Sequence, residues 1–258
     1  MPNHQGTPIW YELITPDADA AQRFYGSVLG WGFEPMPGSP DMDYRVASAN
    51  GIGVAGLMAQ PQGQPMPNHW LIYFGVGDVD ASVEQARQAD AAVHVPPTDI
   101  AEVGRFAFLA DPHGALFYVM RGASPEDSQA FRCGERVPQG HAVWNELTAP
   151  DPAAAMAFYG GFLGLRQEGA MPMGALGDYS FIHAGPDRIG AVMGPVPGGQ
   201  PGWLVYFSVD DIDQAVDRLT QAGGQLLQGP DEIPGGVFSL LAQDDRGIRF
   251  GMVGPRTR

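Results

Sequence analysis

The chain has 258 residues, 44% of them hydrophobic and 17% charged, a length that suits about two domains of roughly 100–150 residues each. Its net charge of −15 is carried against arginine alone, with no lysine, which excludes a phosphate-neutralising basic stripe and lysine Schiff-base chemistry and points away from nucleic acid. A single cysteine, Cys133, excludes an internal disulfide framework and a cysteine-based zinc site.

The opening MPNHQGTPIW lacks a basic-then-apolar leader pattern, and no apolar run reaches the ~18 residues of a membrane span, so a cytoplasmic protein is expected. From Trp10 to Thr15 the sequence reads as a strand. Pro16-Asp17 then opens a helix whose apolar side carries Ala21, Phe24, Tyr25 and Val28, and Gly30 ends it. Strand signals follow at 43–48 and 52–58. The Gly51-Ile-Gly-Val-Ala-Gly56 run lies inside a strand signal rather than at the start of a helix, so it reads as a glycine-rich bend and not a dinucleotide fingerprint. The cycle restarts with a strand at 70–76, a helix at 78–88 and strands at 93–95, 104–110 and 116–120.

The second half repeats the first. Trp10-Tyr-Glu-Leu-Ile-Thr-Pro-Asp17 returns as Trp144-Asn-Glu-Leu-Thr-Ala-Pro-Asp151, and 12 of the 21 positions from Trp10 to Gly30 match those from Trp144 to Gly164. Trp70-Leu-Ile-Tyr-Phe-Gly-Val-Gly-Asp-Val-Asp80 returns as Trp203-Leu-Val-Tyr-Phe-Ser-Val-Asp-Asp-Ile-Asp213. The chain therefore divides into a domain at 1–120, a linker at 121–139 rich in Ser, Pro, Gly and charge, and a second domain at 140–258. The net charge is −9 over 1–120 and −6 over 144–258. Each half contains two βαβββ modules, an α+β pattern with helices outside the sheets.

The motifs W-x-E-L-x-x-P-D, W-L-[IV]-Y-F-x-V-x-D-[VI]-D and the turn Asp111-Pro-His-Gly-Ala115 resemble the vicinal-oxygen-chelate superfamily of glyoxalases, extradiol dioxygenases and bleomycin-resistance proteins. Their tandem arrangement is similar to that of two-domain glyoxalase-like proteins of actinobacterial type. The resemblance implies two tandem glyoxalase-like domains, in each of which paired βαβββ modules curve into a cup. It also implies three inward metal-ligand positions per cup. In this sequence they fall on Trp10, Leu71 and Tyr118, and on Trp144, Leu204 and Gly251. None of these offers imidazole, carboxylate or thiolate, so the usual metal centre, and with it any cofactor, is expected to be missing.

Strand alternation puts Glu12 on the face of Trp10 and Glu146 on the face of Trp144. A carboxylate beside a tryptophan in a partly dry cup has its pKa raised by desolvation, which makes Glu12 and Glu146 the candidate acid–base groups. Trp10, Tyr73 and Tyr118 are expected to line the first cup. Trp144, Tyr206 and Arg249 are expected in the second, where the arginine adds a cation that pairs with Glu146 or holds a ligand carboxylate. Each of these residues also has a purely structural reading, as core packing or as an internal ion pair. The six histidines are scattered; a non-standard metal site from His69 and Glu12 is the one grouping they allow. Trp70 and Trp203, on the alternate face, read as core.

These readings favour a metal-free binder of a small organic molecule, cationic or aromatic, with neither nucleic acid nor membrane as partner. The alternatives are a metal-independent lyase or isomerase using Glu12 or Glu146, and a metal-dependent glyoxalase- or dioxygenase-type enzyme. The tandem repeat suits a monomer that is an internal pseudo-dimer, or a homodimer.

Overall fold

The computed structural model describes residues 3–36, 43–60, 68–134, 136–199 and 201–257. The first half runs β1 (Pro8–Thr15), α1 (Ala18–Leu29), β2 (Gly32–Pro35), β3 (Tyr44–Ala49), β4 (Ile52–Ala59), β5 (Trp70–Gly75), α2 (Val79–Gln88), β6 (Ala92–Ile100), β7 (Gly104–Ala110) and β8 (Leu116–Gly122). The second runs β9 (Ala142–Thr148), α3 (Pro152–Leu163), β10 (Arg166–Pro172), β11 (Asp178–Ala184), β12 (Asp187–Met193), β13 (Gly202–Ser208), α4 (Ile212–Gln221), β14 (Gln225–Ile233), β15 (Val237–Gln243) and β16 (Arg249–Gly254). The expected α+β pattern of four βαβββ modules is what the chain adopts. The strand orders are β2-β3-β4-β1-β5-β8-β7-β6 and β10-β11-β12-β9-β13-β16-β15-β14.

The four α-helices among the described residues start the same way. Asp17, Asp78, Asp151 and Asp211 each accept a hydrogen bond from a backbone N–H three residues on, at Ala20, Ala81, Ala154 and Gln214. Each carboxylate satisfies one of the donors that a helix start leaves without an intrahelical partner. The repeated Asp-Val-Asp and Asp-Ile-Asp motifs are therefore a cap followed by an acid in the first turn, Asp80 or Asp213, where the helix dipole favours negative charge. Gly30 and Gly164 end α1 and α3 at φ of 74° and 70°, in the left-handed region.

Two elements differ from the sequence expectation. β2 is a four-residue strand with a Gly and a Pro at its ends, too short for alternation to register. β6 reaches Ile100 rather than stopping at Val95. Pro96 and Pro97 are tolerated because β6 is an edge strand and the β6–β7 register shifts between Val93 and Val95 and again between Val95 and Thr98.

Two compact units form, and neither is a sequence half. The first unit gathers Met1–Ile9, Leu71–Ser128 and Trp144–Trp203; the second gathers Trp10–Trp70, Gln129–Val143 and Leu204–Arg258. In the first unit Phe74, Phe117, Phe158, Tyr159, Phe162 and Trp203 form a buried aromatic core, and α2 packs on α3. In the second, Phe24, Tyr25, Trp31, Trp70, Phe207 and Phe250 do the same, and α1 packs on α4. Trp70 and Trp203 are core residues, as their strand face requires. The sequence linker contributes to the second unit: Ala130 and Phe131 are buried, and the Gln139 side chain donates to the Leu29 carbonyl at 3.1 Å, while just beyond the linker the Trp31 indole N–H donates to the Gly140 carbonyl at 2.8 Å.

Candidate ligand-binding site

In the first unit, β9 carries Trp144 and Glu146 on one face, and β11 brings Tyr179 alongside them. The Trp144 Nε1–H donates to the Tyr179 hydroxyl at 2.7 Å, and that hydroxyl donates to Glu146 Oε2 at 2.7 Å. The Trp144 and Tyr179 rings lie nearly parallel, 14° apart, and Phe181 meets both edge-on. The carboxylate, the phenol and the indole therefore form one directed hydrogen-bond chain set among aromatic faces. All of its members are half-buried, so their outer surfaces meet solvent.

In the second unit the first repeat builds the counterpart. Trp10 Nε1–H donates to the Tyr44 hydroxyl at 2.9 Å. Glu12 follows on the same face of β1 and is 4% exposed. Its register partner on β4 is Gly56, and the Tyr44 ring lies so close over Gly56 that a Cβ there would collide with it. The two tyrosines were missed in the sequence reading. Their signal was present: an Asp-Tyr dipeptide, Asp43-Tyr44 and Asp178-Tyr179, recurs 34 or 35 residues after each tryptophan.

The other expected site residues are placed as follows. Tyr73 and Tyr118 are register partners on β5 and β8, with ring centroids 4.1 Å apart and planes 7° apart. Phe108 on β7 stacks on Tyr118 from the other side at 4.5 Å. Both faces of Tyr118 are thus occupied by protein. Tyr206 lies in register with Gly251, and its ring covers that glycine so closely that no side chain fits there. Arg249 begins β16, opposite Gln243. The structure brings Trp144 to Glu146 through Tyr179, and Tyr73 to Tyr118 directly.

The side chains at the positions where the fold implies metal ligands do not suit one. Tyr118 is sandwiched between rings, Leu71 is fully buried, and Gly251 sits beneath Tyr206. Among the described residues there is no group of three or more His, Cys, Asp or Glu able to hold a metal ion. His69 is kept below its ordinary pKa by burial. His183 is buried on β11 with an Nδ1 that has no partner among the described residues. Cys133 is exposed.

The motifs shared by the repeats also build a second kind of network, inside each core. In the second unit Trp70 Nε1–H donates to the Tyr25 hydroxyl at 3.1 Å, which donates to Asp244 Oδ2 at 3.1 Å. In the first, Trp203 donates to Tyr159 at 3.0 Å, and Tyr159 to Asp111 at 3.0 Å. Each aspartate also accepts turn amides, from His113 and Ala115 or from Arg246 and Ile248. Burial, followed by the neighbouring aspartate, drives both tyrosine pKa values well above the ordinary range. These phenols stay neutral donors, and their role is structural.

No described helix is long and apolar enough to cross a membrane. The profile of the Glyoxalase/Bleomycin resistance protein/Dioxygenase superfamily matches residues 7–119 and 139–252. A protein named "Putative glyoxylase CFP32" in Mycobacterium tuberculosis is 37% identical over 97% of this chain and 95% of its own length. The anthracycline biosynthesis protein DnrV of Streptomyces peucetius is 32% identical over 96% of this chain and 93% of its own. Among solved structures, the Mn(II)-bound glyoxalase of Novosphingobium aromaticivorans shares the fold with a TM-score of 0.66 at 19% identity, over 98% of this chain and 83% of that one. The 2,2',3-trihydroxybiphenyl 1,2-dioxygenase of Sphingomonas wittichii does so with a TM-score of 0.67 at 17% identity, over 97% and 90%. With both repeats matched, the chain belongs to the glyoxalase/bleomycin resistance protein/dioxygenase superfamily.

Proposed function

We propose that this protein binds a small organic molecule with an aromatic part at its Trp–Tyr–Glu clusters, without the metal centre of its metal-dependent relatives. The observation that carries this reading is the directed chain from Trp144 through Tyr179 to Glu146. The indole and phenol hold the carboxylate in place and offer flat apolar faces beside it, so a ring can stack while its O–H or N–H donates to the carboxylate. Tyr44 and Glu12 give the first repeat the same residue types beside Trp10. Relatives named for glyoxylase activity and for anthracycline biosynthesis both have names that concern small organic molecules.

The test is a tryptophan-fluorescence and calorimetric titration with 2-naphthol, a neutral ring with one O–H donor. Saturable binding that Trp144→Phe abolishes and Glu146→Gln weakens by about tenfold supports the reading, since a hydrogen bond to a charged group is worth roughly 1.5–3 kcal/mol. No saturation, or binding unaltered by both substitutions, refutes it.

A second reading is favoured by the burial of Glu12 on the face of Trp10. It is acid–base catalysis of lyase or isomerase type, with Glu12 or Glu146 moving a proton at a carbon of the bound molecule. A placed carboxylate is typically worth ~10²–10⁴ in rate. Turnover that is the same in Glu12→Gln and Glu146→Gln protein, with no carboxylate limb in its pH–rate profile, counts against it.

A further inference from the structure

The two Trp–Tyr clusters carry different residues at one matching strand position, glycine on β4 and arginine on β12. Glu12 is in register with Gly56, and Glu146 with Ala191, so Gly53 on β4 and Arg188 on β12 are equivalent positions. The same offset makes Val46 equivalent to Phe181, because Tyr44 and Tyr179 accept the matching indole bonds. In the second unit a Cβ at Gly53 would lie 3.4 Å from Trp10 Cη2 and 3.7 Å from Val46 Cγ1. This places the Gly53 position against the outer ring of the tryptophan. In the first unit that position carries a guanidinium, which lies 4.4 Å from the centroid of the Phe181 ring. Phe181 in turn meets the Trp144 ring edge-on at 6.2 Å.

Arg188 is exposed and has neither a hydrogen bond nor an ion pair among the described residues. Arg45, Arg105 and Arg256 are each held by aspartates at 2.7–3.0 Å, whereas Arg188, like Arg23, Arg121 and Arg136, has no such partner among the described residues and differs from those three in lying over an aromatic ring. The contact with Phe181 is a cation–π interaction, and it leaves the N–H donors of the exposed guanidinium to solvent. Those donors match a carboxylate in two parallel hydrogen bonds.

Resting on the reading that the Trp144 cluster binds a ring, we propose that this cluster selects aromatic acids through Arg188, whereas the Trp10 cluster, with glycine at the same position, does not. A ring stacked against Trp144 places its acid group on the guanidinium, while the Glu146 carboxylate takes a donor elsewhere on the same molecule. A ring lying against Trp10 meets no cation at position 53, which is glycine.

The experiment compares 2-naphthoate with its neutral isostere 2-naphthamide by calorimetry, and follows the Trp144 and Trp10 indole N–H resonances. The expected result is one naphthoate site at Trp144, with affinity about tenfold above naphthamide, the order of a charge-assisted pair. Arg188→Gln should remove that difference by weakening naphthoate alone, and added salt should weaken it in the wild type. Gly53→Arg should add a second naphthoate site that shifts Trp10, because the added Cβ meets Trp10 at an ordinary contact distance. If both probes bind Trp144 equally, or Arg188→Gln weakens both alike, the assignment to Arg188 is overturned while ring binding stands. If neither probe shifts Trp144, ring binding fails and the proposal with it.

Discussion

At the residue scale, tyrosine is the side chain the tandem motifs are built around. Tyr25 and Tyr159 are wholly buried, and each both accepts from an indole and donates to an aspartate. Removing one hydroxyl strands two polar groups in a dry core. Tyr25→Phe is therefore expected to cost about 2–6 kcal/mol, a penalty of roughly 1–3 kcal/mol for each unsatisfied group. Tyr159→Phe should behave alike, because its partners are equivalent. Urea denaturation measures both, and a loss below 1 kcal/mol in either would contradict the network. Tyr44 and Tyr179 look similar in sequence but are half-buried on the open side of their strands. Their replacement should move binding more than stability.

At the element scale, the helix ends are set by single residues whose surroundings differ between repeats. Gly30 and Gly164 both sit at positive φ, which costs an L-residue roughly 1–2 kcal/mol. A Cβ at Gly164 meets nothing within 4 Å, whereas at Gly30 it lies 3.0 Å from Gln139 Nε2. That amide donates to the Leu29 carbonyl at the end of α1. Gly164→Ala should lose only the backbone term, and Gly30→Ala should lose visibly more, by about the value of one hydrogen bond, ~1 kcal/mol. Equal losses in thermal or chemical denaturation would show that Gln139 does not support the end of α1. The strands are less regular than the helices, and the paired prolines of β6 are accepted because an edge strand needs no donor there.

At the scale of the whole molecule, acid sensitivity follows from histidines buried without charge partners. His141 is fully buried in the second unit, and its ring Nδ1 lies 2.7 Å from the Gln129 carbonyl, so Nδ1 carries the proton. Nε2 has no partner among the described residues. Burial lowers the His141 pKa despite the Gln129 contact, and nearby Arg132 lowers it further; burial lowers that of His69 as well. Below the ordinary histidine value of about 6.5 the unfolded chain binds protons that the folded chain refuses, so stability falls as pH drops from about 7 toward 5. His141→Gln should flatten part of that fall in melting temperature and leave the His69 share. An identical pH dependence in the variant would remove His141 from the account.

The modules are written in local stretches of the chain. Alternation, helix periodicity, the capping aspartates and the closing glycines are local devices that act within a dozen residues, and the duplicated Trp-x-Glu-Leu and Trp-Leu-x-Tyr-Phe stretches carry them twice. The chemistry of the six implied metal-ligand positions was equally legible, because a leucine or glycine cannot coordinate an ion wherever it lies. Tertiary structure alone decided which halves make a unit. Residues 71–128 gather with 144–203 rather than with 10–70, because the aromatic faces that must leave water find their partners across the repeat boundary. It also decided the partners of the site carboxylate. Tyr179 reaches Glu146 and Arg188 stacks on Phe181 only when β9, β11 and β12 lie side by side. Sequence spacing carries no record of which strands pair, so Tyr179 and Arg188 enter the site only through the register of β9, β11 and β12.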